Sequence, residues 1–107
     1  MAKPKRVMII GWDCAPPREL FELWRNELPN IDELMSSGCY GRLRSSDPPI
    51  TVPAWTSMMS SLNPGKLGFY GFRNRKPGEY DDKWIATSLA VKADRAWDIL
   101  SREGKRC

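Results

Sequence analysis

Apolar and polar positions change rhythm several times along this chain. Residues 6–11 begin basic and run into Val7, Met8, Ile9 and Ile10 with no polar alternation. An unbroken apolar run of this length is expected of a strand buried on both faces of a parallel sheet. Gly11 loosens the backbone at its end, and Asp13 follows. From Pro16-Pro17 onward, Leu20, Phe21, Leu23, Trp24 and Leu28 recur at helical spacing. Proline is tolerated in a first helical turn, where its missing N–H is no loss. Pro29 interrupts the stripe. A further helical stretch carries Ile31, Leu34 and Met35 and stops near Gly38.

Residues 39–44 alternate small or apolar with polar and predict a second strand. Residues 45–49 are a loop by their Ser, Asp and Pro content. Pro53 is expected to open another helix, with Trp55, Met58, Met59 and Leu62 on its buried side and Asn63-Pro64-Gly65 at its end. Residues 66–82 are rich in Gly, aromatic and charged residues and predict an extended loop. Residues 86–91 fit no single pattern. Residues 94–103 predict a helix through Ala96, Trp97, Ile99 and Leu100, stopped by Gly104. This order is the opening of an α/β fold with a mostly parallel sheet flanked by helices.

Composition narrows the picture only a little. The chain has 107 residues, enough for one domain at most, and 41% of them are apolar. Five tryptophans are many for this length and suit a core edge, a cleft or an interface. A net charge of +4 suits a phosphate-bearing ligand and equally a solvated surface. The three cysteines, Cys14, Cys39 and Cys107, show no CxxC spacing, so neither a zinc motif nor a disulfide framework is indicated. Reduced thiols point to a cytoplasmic setting. No stretch approaches membrane-spanning length, and the apolar run behind the basic start is too short for a signal-peptide core.

Two positions stand out for chemistry. Asp13 falls at the expected end of the first strand, where ligands gather in open α/β sheets. Its carboxylate could bind a cation or cap a turn. Thr51 lies between Pro48-Pro49 and Pro53, at the start of a helix whose free N–H groups would favour an alkoxide or a phosphate oxyanion. A threonine there is more commonly an N-cap. Arg42, Arg44, Lys66, Arg73, Arg75 and Lys76 flank this region as phosphate ligands or as a solvated rim. Asn74 could donate to a phosphoryl oxygen or simply hold a turn.

Four stretches together resemble the alkaline phosphatase superfamily, and most closely its nucleotide pyrophosphatase/phosphodiesterase-like branch. They are VMIIGWDCAP (7–16), PNIDELMSSGCYGRL (29–43), PPITVPAWTSMMSSLNPGKLGFYG (48–71) and AWDILSREGKR (96–106). The resemblance implies a three-layer sandwich, of which residues 1–107 would be the incomplete N-terminal portion of one catalytic domain. It implies a hydrolase of phosphate esters or nucleotides, with Asp13 as a metal ligand and Thr51 as both nucleophile and metal ligand. It implies two divalent ions, zinc foremost. Leu67 stands where the family often has histidine, and the chain contains no histidine at all. The family's remaining Asp and His ligands come later in a domain of several hundred residues. The chain alone is therefore expected to be inactive and marginally stable, with self-association open through an exposed sheet edge. The competing expectation is a non-catalytic fragment that binds a nucleotide or a partner. A nucleic-acid partner is not favoured, because the basic residues are scattered and no nucleic-acid motif is present.

Overall fold

The computed structural model describes residues 6–107. The chain divides after Leu43 into two compact units, the second being Arg44–Cys107. Helices dominate, accompanied by one small two-stranded antiparallel sheet among the described residues.

In the first unit the expected strand at 7–10 does not form. Val7, Met8, Ile9 and Ile10 are between 65% and 84% exposed and belong to no sheet. A strand is completed by its neighbours, since each of its N–H and C=O groups needs a ladder partner. Among the described residues no strand lies beside this run. The expected strand at 39–44 is likewise irregular, with Tyr40 and Leu43 exposed.

The apolar stripe beginning at Leu20 does turn helically, but unevenly. Glu19–Leu23 forms one wide π-turn and Arg25–Glu27 one tight 3-10 turn. Leu20, Phe21 and Leu28 are partly buried, whereas Leu23 and Trp24 stay exposed. Helix α1, Pro29–Ser37, starts on the proline expected to interrupt the stripe; at a first helical position its missing N–H is no loss. Its inward residue is Met35, only 6% exposed. Phe21 meets Tyr40 edge to face at 5.2 Å. Arg25 pairs with Asp32, and Arg42 pairs with Glu22 at 2.6 Å. All four of these charged side chains are well exposed, so each pair adds little.

The second unit is built on α2, Thr51–Ser60. Ile50 is its N-cap, and the Ile50 carbonyl accepts the first helical bond from Ala54 N–H at 2.9 Å. The helix thus begins two residues before the proline that predicted it. Pro53 still lies in the first turn, where no acceptor awaits its nitrogen. Ser61 closes the helix in the left-handed conformation, φ 59°. Asn63 then caps the single turn α3, Pro64–Leu67, by accepting from Lys66 N–H at 2.9 Å. Gly68, at φ 81°, reverses the chain there at little steric cost. The core of the unit is Phe69, 1% exposed, with Pro53 buried as well. Trp84 meets Phe69 edge to face at 6.4 Å between centroids.

Residues 66–82 are not loop throughout. Strand β1, Arg73–Arg75, pairs antiparallel with β2, Lys83–Ile85, with Asn74 opposite Trp84. Among the described residues the sheet is thus this antiparallel hairpin, with β1 in a stretch expected to be loop, and not a parallel sheet. One 3-10 turn, Ser88–Ala90, and helix α4, Ala96–Arg102, complete the unit.

The start of α4 makes a pH prediction. Asp98, its third residue, accepts from the Arg95 backbone N–H at 2.9 Å and from Arg95 Nε at 2.7 Å. The guanidinium bond first, and the backbone bond second, hold the Asp98 carboxyl below the usual aspartate range. A lowered folded-state pKa means that the folded state binds the proton less readily than the unfolded one. The contribution is full above the ordinary aspartate pKa and is lost as pH falls through the lowered one. NMR secondary shifts across Ala96–Arg102 should show α4 fraying on that acid limb. Asp98→Asn should make them independent of pH there; an unchanged acid transition in the variant would remove Asp98 as its source.

Candidate functional site

Asp13 and Thr51 belong to different units. Asp13 is exposed and forms a turn with Cys14. Cys14 adopts φ 55°, a region costly for a residue with a Cβ. Its thiol donates to Asp13 Oδ2 at 3.6 Å.

Thr51 is the first residue of α2, not its cap, which corrects the N-cap expectation. The positive end of the helix dipole lies in the turn that carries its hydroxyl. Thr51 also lines a half-open cleft of about 270 Å³ within the second unit. Its lining is mostly apolar: Val52, Trp55, Phe69, Ala86 and Val91. Thr51, Thr56, Thr87 and Ser88 complete it. Thr56 Oγ1 donates to the Val52 carbonyl at 2.7 Å, so its proton is engaged within the helix. No charged side chain lines the cleft. Nothing in the sequence joined residues 86–91 to Thr51; their contribution appears only in three dimensions.

Asn74 is 9% exposed. Its Oδ1 accepts from Tyr70 N–H at 2.8 Å, and its Nδ2 donates to the Gly71 carbonyl at 2.9 Å. The side chain thereby closes the turn that follows Phe69. An asparagine amide carries two hydrogens, and this bond uses one of them.

Two of the basic residues are taken up in ion pairs. Arg42 is paired with Glu22, and Lys76 with Asp82. The Arg75 guanidinium lies over the Tyr80 ring, 5.6 Å from its centroid. Arg44, Lys66 and Arg73 are exposed.

The donors present do not make a complete metal site. Among the described residues no three His, Cys, Asp or Glu side chains are grouped closely enough to hold an ion. A catalytic zinc takes three protein ligands. Asp13 and Thr51 fall in different units, and among the described residues neither belongs to a grouped set of such ligands.

Thr51 thus combines a hydroxyl, a helix N-terminus and a neighbouring cleft. The family model for type I phosphodiesterase / nucleotide pyrophosphatase matches residues 7–107, and the chain belongs to that family. A search of curated proteins returned no match. A search of solved structures returned none either. Among the described residues no helix is long and apolar enough to cross a membrane.

Proposed function

We propose that this chain carries the nucleophile of a phosphoric ester hydrolase, with Thr51 as that nucleophile. The placement of Thr51 at the first residue of α2, on the rim of the cleft, carries this reading. Membership of a phosphodiesterase and pyrophosphatase family supports it. In the first step Thr51 Oγ forms a bond to phosphorus and the bond to one ester oxygen breaks. The hydroxyl proton leaves with the departing alcohol or passes to solvent. In the second step water displaces Thr51 from phosphorus and restores the hydroxyl. The helix dipole favours negative charge on Thr51 Oγ and on the phosphoryl oxygens. The remaining Asn74 amide hydrogen is proposed to donate to one of those oxygens.

Asp13 and Thr51 are proposed as ligands of a divalent ion, zinc foremost, and would supply only part of its coordination. The substrate would be a phosphate ester or a nucleotide. A mostly parallel sheet with residues 7–10 as one strand is the corresponding fold proposal. The exposed apolar surface of those four residues is consistent with it.

The two steps make different demands. Attack on an activated ester needs the nucleophile and a good leaving group; release by water needs the complete ligand set. The 107-residue chain is expected to be phosphonylated once by bis(p-nitrophenyl) methylphosphonate and to show no sustained turnover. Acid quench, digestion and mass spectrometry should place the group on the peptide containing Thr51. Label confined to other residues would overturn the assignment.

A further inference from the structure

We propose that the outer edge of β1 takes an extended acidic peptide segment as a third strand, with carboxylates at alternate positions beside Arg73 and Arg75. The surface lies within the second unit, and the proposal is independent of the role of Thr51.

The backbone of the hairpin leaves that edge open. Ala86 N–H donates to the Phe72 carbonyl at 2.8 Å, and Lys76 N–H donates to the Asp82 carbonyl at 3.1 Å. These bonds mark 72 with 86, and 76 with 82, as hydrogen-bonded pairs. Such pairs alternate along an antiparallel ladder. Asn74 and Trp84 are therefore the hydrogen-bonded pair between them, and Arg73 with Ile85 and Arg75 with Lys83 are non-hydrogen-bonded pairs. The N–H and C=O groups of the latter point away from the partner strand. On β1 they form the outer edge. Trp84 Nε1 takes up the Arg75 carbonyl at 3.2 Å. Among the described residues no hydrogen bond reaches the Arg73 N–H, the Arg73 carbonyl or the Arg75 N–H. Unpaired groups in a row are a template for another strand.

Charge selects the strand. Arg73, Arg75 and Lys83 are exposed while Asn74 between the two arginines is buried, so the register sets all three cations on the outward face. Arg75 and Lys83 lie directly opposite each other, a destabilising placement of like charges. Arg75 rests over the Tyr80 ring. Among the described residues neither Arg73 nor Lys83 has an ion pair. Glu79 and Asp81 belong to the turn, beyond the Lys76–Asp82 pair, which leaves the cationic stretch toward Arg73. Carboxylates two residues apart on an extended strand repeat at about 6.8 Å, the same spacing that separates alternate residues of β1. Each arginine then meets one carboxylate, and the residue between falls on the face of Asn74. A nucleic-acid strand would answer the charge, but its sugar-phosphate backbone has no N–H and C=O groups to complete the edge.

The test uses the whole chain and four ligands: a capped heptapeptide alternating aspartate with valine, its lysine–valine counterpart, the aspartate peptide N-methylated at alternate nitrogens, and a thymidine oligonucleotide. Binding is followed by amide shifts and by slowed amide exchange at Arg73 and Arg75. The aspartate peptide is expected to bind at least tenfold more tightly than the lysine peptide and to protect the Arg73 amide. N-methylation should remove the binding. Arg73→Glu should weaken the aspartate peptide about tenfold, and Arg73→Lys should retain it; unchanged Trp84 indole and Phe69 ring signals show that the hairpin persists in both. Equal affinity for the two charge patterns, undiminished binding of the N-methylated peptide, or no binding of the aspartate peptide overturns the proposal. Oligonucleotide binding as tight as that of the peptide, without amide protection, also overturns it and makes the face a general polyanion site.

Discussion

Thr51→Ala is expected to slow phosphonylation by bis(p-nitrophenyl) methylphosphonate by roughly 10³-fold or more, the scale set by removal of a nucleophile in other hydrolases. The variant lacks only Oγ and one methyl group. Ala is a good first-turn residue, and Ile50 rather than Thr51 caps α2, so the helix should persist. Release of p-nitrophenol measured as a stoichiometric burst is the direct readout. Thr51→Ser keeps a hydroxyl at the same helical position and should retain much of the burst. Three outcomes are informative. Loss in alanine with retention in serine supports nucleophilic attack from this position. An undiminished burst in alanine assigns the chemistry to another residue. Loss in both variants with unchanged structure would point to the threonine methyl group, and so to packing in the cleft rather than to the hydroxyl.

The second large effect is on stability. Phe69→Ala should cost about 3–5 kcal/mol, the usual range for emptying a buried phenylalanine site. Phe69 is 1% exposed, meets Trp84 edge to face and forms part of the cleft wall. A unit this small has few other buried side chains, and the loss is comparable to its entire expected stability. Urea unfolding followed by tryptophan fluorescence should therefore show no folded baseline for the variant. Phe69→Leu keeps most of the volume and should shift the midpoint without abolishing the transition. A midpoint unchanged in the alanine variant would mean that Phe69 does not organise the unit.

The helices could be anticipated because their information is local. Met35 and Ile31 mark α1, Trp55 and Pro53 mark α2, and Ala96, Trp97, Ile99 and Leu100 mark α4. The hairpin could not. Arg73-Asn74-Arg75 and Lys83-Trp84-Ile85 show no apolar alternation, because their inward pair is Asn74 and Trp84 and their outward residues are largely charged. Residues 7–10 present the opposite case. Their apolar character is plain in the sequence, but whether they become a strand depends on neighbours that local pattern does not specify. The same limit applies at the site. Thr51 was visible from the prolines around it. The cleft was not, because Ala86, Thr87, Ser88 and Val91 approach it from a segment without periodicity.

Asn74 links the cleft to the chemical ageing of the protein. Asparagine is among the thermolabile residues. Deamidation of Asn74 would replace the Nδ2 donor with a second acceptor oxygen, facing the Gly71 carbonyl now 2.9 Å from that nitrogen. Two acceptors at that separation repel, and the turn behind Phe69 would loosen. The turn behind Phe69, itself a lining residue of the cleft, would thus lose order as the Asn74 amide is lost in storage.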